Sequence, residues 1–185
     1  MTAASRPIRF LDVDGTLLPF GGPEMPRVPG PPESWTAASN PHLARVDRAL
    51  CPLLSGLGCE LMWATAWMHG ANEVIAPLLD LPHLRVADLP AYDGDQGVDD
   101  LQWKTKALVR VADGRPFVWV DDVLGDADQR WIERVHPAGA LLHRVDPTVG
   151  MTVTDVDRIV TWLRGVRRPL TRGERRRPVR PALPV

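Results

Sequence analysis

The chain is predicted to fold as an α/β domain built on a parallel sheet with helices on both faces. Three observations carry this. Short apolar runs alternate with segments of helical period along most of the sequence. Those runs are apolar throughout, where a strand with one wet face would alternate apolar and polar residues. Acidic and hydroxyl residues gather just past the runs, where open α/β sheets bind their ligands.

In order, Ile8 to Asp12 reads as a first buried strand. It enters Phe10-Leu11-Asp12-Val13-Asp14-Gly15-Thr16-Leu17-Leu18, where Asp12 and Asp14, two apart, can face one cleft. Gly15 permits a sharp exit past the strand end. Residues 19–41 are Pro/Gly-rich and predict a loop. Asn40-Pro41 is expected to cap a helix reaching about Leu57. Cys59 to Ala64 is a second strand ending at Thr65, followed by a helix over His69 to Leu79 and a short third strand, Leu84 to Ala87. Residues 88–100 read as an acidic loop. Trp103 to Val111 is helical, and Pro116 to Val120 is a fourth strand that stops at Asp121-Asp122. Ala127 to His136 is a helix, Ala140 to His143 a fifth strand, and Val156 to Leu163 a closing helix.

At 185 residues the chain has the length of one ordinary domain, with 44% hydrophobic and 24% charged residues. Its net charge of −1 is uneven. Residues 164–185 carry eight Arg and one Glu, which leaves an acidic balance on residues 1–163. We therefore expect a folded domain over 1–163 and a disordered Arg/Pro-rich tail over 164–185. Clustered Arg can bind nucleic acid through phosphates; the alternative is a solubilising end. Cys51 and Cys59 lack metal-ligand spacing and read as reduced thiols of a cytoplasmic protein. No run approaches the ~18 apolar residues that would suggest a membrane span.

Each polar group at a strand or helix end has a candidate task. Asp12 and Asp14 repel each other unless a cation sits between them, and hard cations such as Mg²⁺ take oxygen ligands. Thr65 could hold a phosphoryl oxygen, or serve only as a turn or cap. Lys104 and Lys106 are the only lysines, close together in a chain whose usual base is Arg. Either could supply charge to a phosphate; two residues apart, they lie on different helix faces. Asp121 and Asp122, adjacent after five apolar residues, are costly unless a metal or water compensates them.

Asp12-Val13-Asp14-Gly15-Thr16-Leu17 resembles motif I of the haloacid dehalogenase (HAD) superfamily, mostly phosphatases that work through an aspartyl-phosphate. Thr65, Lys104 and the run Asp121-Asp122-x-x-x-Asp126 follow in that family's order. The resemblance implies a HAD-like Rossmannoid three-layer sandwich with a five-stranded parallel sheet. It makes Asp12 the nucleophile and Asp14 the general acid/base, and it selects Lys104 over Lys106. Mg²⁺ would bind Asp12, the Asp14 backbone carbonyl, Asp121 and, directly or through water, Asp122; Asp126 is left to cap the next helix. A two-component receiver domain uses similar groups, but its acid pair precedes the phosphorylated Asp, an order this chain lacks.

A narrower resemblance rests on Trp63-Ala64-Thr65-Ala66-Trp67 with Ala71-Asn72, on Trp103-Lys104, on Val118-Trp119-Val120-Asp121-Asp122, and on Val145 to Thr152. These are similar to small, capless HAD domains of the type named for Swiss Army Knife RNA-repair proteins. Ala66 departs from the Gly common after this Thr. About 50 residues separate Asp14 from Thr65, enough for a flap over 19–41 but hardly a full cap. The expected activity is thus Mg²⁺-dependent phosphate-ester hydrolysis at an open site, with nucleic-acid ends as one candidate substrate. A non-catalytic HAD-fold binding module, or a nucleic-acid-binding protein, is the alternative. Trp63, Trp67, Trp103 and Trp119 are either core and cleft walls or stacking platforms.

Overall fold

A computed structural model describes residues 6–20, 40–92 and 100–167. Within them, five strands form one sheet: β1 (Ile8–Leu11), β2 (Glu60–Trp63), β3 (Arg85–Val86), β4 (Phe117–Asp121) and β5 (Ala140–Arg144). All pairs are parallel, in the order β3-β2-β1-β4-β5. The chain therefore moves outward from β1 on one side, then crosses back to lay β4 on the other. The switch in strand order falls between β1 and β4.

Alternation along the strands sends successive side chains to opposite faces. Leu11, Trp63, Val118 and Val120 pack beneath α1 (Leu50–Ser55) and α5 (Val153–Arg167). Phe10, Met62, Phe117 and Trp119 pack beneath α3 (Thr105–Ala112) and α4 (Asp126–Val135). Burial on both faces is why the strands read as continuous apolar runs, and it yields the expected three layers. Arg9, fully buried in β1, is satisfied in part by the Leu54 carbonyl at the end of α1.

Two predicted helices are broken, both by proline. The single helix expected from Asn40 to Leu57 is a 3₁₀ helix, Pro41–Arg45, then an extended Val46, then α1. Asn40 does cap the first piece, accepting from His42 N–H at 2.9 Å. Pro52 has no N–H to donate, so it fits the first turn of a new helix but not the middle of a long one. Over His69 to Leu79 the chain forms a π-helical turn, Ala71–Ile75, continued by α2 (Ala76–Leu78). Pro77 would crowd the carbonyl four residues earlier in a regular helix. The closing helix is longer than Val156 to Leu163 at both ends.

Residues 21–39 of the proline-rich loop, 93–99 of the acidic loop, and 168–185 of the Arg-rich tail lie outside the described residues. Cys51 is half-buried and Cys59 buried, neither in a disulfide. No helix among the described residues is long and apolar enough to cross a membrane.

Candidate active site

The register places Asp12 one residue beyond β1, level with the end of β4. Its N–H donates to the Val120 carbonyl at 3.2 Å, and Ala64 N–H donates to the Leu11 carbonyl at 2.8 Å. Asp12 and Asp121 thus emerge side by side at the switch point, both buried. Lys104 sits just ahead of α3, on the loop crossing from β3 toward β4. Its Nζ donates to Asp12 Oδ1 at 2.7 Å and to Asp121 Oδ2 at 2.6 Å. Asp12 Oδ2 has no hydrogen bond among the described residues.

Carboxylate oxygens of Asp12, Asp121 and Asp122 lie within 4.8 Å of one another, all three residues buried. One ammonium faces three acids, so the cluster holds excess negative charge where water is scarce. Burial, reinforced by Asp121 and opposed by Lys104, pushes the Asp12 carboxyl up to about 8. Burial and then Asp121 raise Asp122 as well. Burial alone would lower Lys104, but Asp12 and Asp121 together outweigh it and hold the ammonium above its ordinary value. A hard dication taking carboxylate oxygens fits this donor set. The Asp14 carboxylate lies outside that group of three.

Asp14 is partly buried, its Oδ2 accepting from Trp67 Nε1 at 2.8 Å. Burial raises its carboxyl, while Trp67 and Lys104 pull the other way. The turn that follows has one permissive residue. Gly15 adopts φ +67°, and a Cβ there would fall 2.5 Å from Asp122 Cγ. Only glycine lets the β1 exit and the β4 acids approach this closely.

The expected residues are not all equivalent in place. Asp12, Asp14, Lys104, Asp121 and Asp122 line one cavity of about 170 Å³. Thr65 is fully buried just beneath it, its hydroxyl accepting from Trp67 N–H at 3.3 Å; Ala66 is the residue that lines the cavity there. Lys106 is exposed on the first turn of α3. Asp126 is exposed and does not cap α4. That task falls to buried Asp128, which accepts from Gly125 N–H at 3.0 Å.

Several positioning groups escape the sequence. Asp128 Oδ1 also accepts from Gln102 N–H at 2.9 Å and from the Thr105 hydroxyl, so it pins the loop that carries Lys104. Gln102 accepts the Lys104 N–H at 2.8 Å. Trp119 Nε1 donates to Asp121 Oδ2 at 3.1 Å. Nothing in a linear reading links these pairs, although Asp at the third helical position is a recognisable cap signal. Trp63 is core, its Nε1 held by Asn72 Oδ1 at 2.9 Å. Of the four tryptophans, Trp63 and Trp119 are thereby removed from any stacking surface.

A family model described as the HAD domain in Swiss Army Knife RNA repair proteins matches residues 8–156. Among solved structures, the HAD domain of effector protein Lem4 from Legionella pneumophila is similar. Its TM-score is 0.52 at 15% identity, covering 88% of this chain and 98% of that one, a likeness of fold. No curated protein matches the sequence.

Proposed function

Because the chain belongs to the family of HAD domains found in Swiss Army Knife RNA repair proteins, we propose that it is a Mg²⁺-dependent phosphatase working through an aspartyl-phosphate. One observation carries this reading. A buried lysine bridges two carboxylates at the sheet's switch point, and a third carboxylate completes a dication-sized group beside them.

Asp12 Oδ2, left open by the Lys104 bond to Oδ1, attacks phosphorus in line with the ester oxygen. As that P–O bond breaks, the Asp14 carboxyl gives its proton to the departing oxygen. Burial raises the affinity of that carboxyl for protons, which suits it to the donor's task. The Asp14 carboxylate then takes a proton from water, whose oxygen attacks phosphorus. The bond to Asp12 breaks, inorganic phosphate leaves, and Asp14 is protonated again. Lys104 balances charge on the transferring group. Thr65, buried beneath the cavity, accepts from Trp67 N–H and so holds the turn that carries Ala66 at the cavity wall. Asp12, Asp121 and Asp122 would hold Mg²⁺, with the Asp14 backbone carbonyl, and the ion supplies positive charge against the phosphoryl oxygens.

For the substrate we favour phosphorylated nucleic-acid ends, brought to the acidic domain by the arginines of 164–185. Two unpaired thiols favour a cytoplasmic setting. The test is Mg²⁺-dependent phosphate release from an aryl phosphate, nucleotides, sugar phosphates, phosphopeptides and 5′- or 3′-phosphorylated oligonucleotides. Asp12→Asn should abolish release while circular dichroism shows an intact fold. Turnover retained by Asp12→Asn defeats the mechanism. A folded, Mg²⁺-binding wild type that releases nothing leaves a binding module instead.

A further inference from the structure

The mechanism above uses none of the aromatic groups at the mouth of the cavity. Phe20 and Tyr92 line the same cavity as Asp12, yet are 42% and 54% exposed. The Tyr92 ring lies against Trp103, centroids 5.2 Å apart and planes tilted by 43°. Trp103 in turn lies beside Lys104, whose Nζ is 5.5 Å from the ring centroid. A continuous series of contacts therefore runs from the ammonium to an exposed phenol ring. Rings left in water are unfavourable until something covers them.

Charge narrows what that cover can be. Among the described lining residues Lys104 is the one cation, and Asp12 and Asp121 already engage it. Among the described residues that line the cavity, no other group attracts a second negative charge, and Val123, 46% exposed, adds apolar surface there. We infer that Tyr92, with Phe20 and Trp103, forms a recognition subsite for a planar, uncharged ring carried by the leaving group. The ring stacks on Tyr92 while the phosphoryl group reaches Lys104. A nucleobase and a simple aryl group share that chemistry. This inference rests on the phosphatase reading.

The experiment separates the two. Turnover of acetyl phosphate, which has no ring, tests the phosphatase reading alone. Calorimetry on the Mg²⁺-loaded protein then compares phenylphosphonate with cyclohexylphosphonate, equal in charge and similar in size. Stacking predicts about tenfold tighter binding of the planar ligand. Tyr92→Ala should erase that ratio, and Tyr92→Phe should keep it. Adenosine monophosphate against ribose 5-phosphate asks the same of a nucleobase. A gain only in this second pair assigns the subsite to bases, and a gain only in the first assigns it to aryl groups. Equal binding within both pairs by an enzyme that turns over acetyl phosphate overturns the subsite. A ratio that survives Tyr92→Ala combined with Phe20→Ala overturns it too.

Discussion

Lys104 is surrounded by opposed effects whose balance decides its state. It is buried, which favours the neutral amine, but two carboxylates within hydrogen-bond distance favour the ammonium more strongly. Removing it would leave Asp12 and Asp121 facing each other without a counter-charge. Lys104→Met should therefore destabilise the metal-free protein by about 3–5 kcal/mol in urea titrations, the usual cost of breaking a buried pair from one side. Saturating Mg²⁺ should restore part of that stability but not turnover. Full turnover by Lys104→Met would remove the lysine from the mechanism. The residues alone left Lys104 and Lys106 as rivals. What separates them is that α3 begins at Thr105, so Lys104 stays on the inward loop while Lys106 joins an exposed helix face. That boundary is set by Asp128, from another helix, and no local pattern near the lysines discloses it.

Elements show the same division between local and distant causes. The strands were legible because burial on both faces imposes an apolar run, a property each segment carries by itself. Helix lengths were less so: an apolar period from Leu43 to Leu54 runs unbroken across Val46, where the backbone is extended and the first helix ends before α1 begins. The capping of α4 reads as Asp126 in the sequence because either acid suits a first turn; only the buried partners of Asp128 decide between them. Those partners make Asp128 a joint between α4 and the loop bearing Lys104. Asp128→Ala leaves two backbone N–H groups and a hydroxyl unsatisfied, and should cost about 3 kcal/mol. A cap acting on α4 alone would cost about 1 kcal/mol and leave catalysis untouched. Urea titration beside kcat separates these: loss of kcat at a temperature where the variant is fully folded is expected, and unchanged kcat restricts Asp128 to a cap.

At the scale of the molecule, the outcome that could not be read from the sequence is the strand order. Five parallel strands admit several arrangements, and motif order alone does not say which strand ends are neighbours. The order β3-β2-β1-β4-β5 brings the exits of β1 and β4 together and so concentrates Asp12, Asp121 and Asp122 in one buried place. That concentration has a consequence for stability. The Asp12 carboxyl rises from 3.8 to about 8 in metal-free protein, chiefly through burial. Between those values the folded protein keeps a proton that the unfolded chain has released. This group's contribution to stability therefore falls as pH rises across that window. A bound dication expels the proton and removes the penalty. The rise in Tm caused by Mg²⁺ should thus be small near pH 5 and grow toward pH 8. At a hundredfold excess over Kd it should reach about 2.7 kcal/mol, or several degrees for a domain of this size. Asp12→Asn, which cannot ionise, should be the more stable protein at pH 8 without metal, and its response to Mg²⁺ should vary less with pH, because Asp122 remains raised. A Mg²⁺ effect of equal size at both pH values in the wild type would mean that Asp12 is not a ligand.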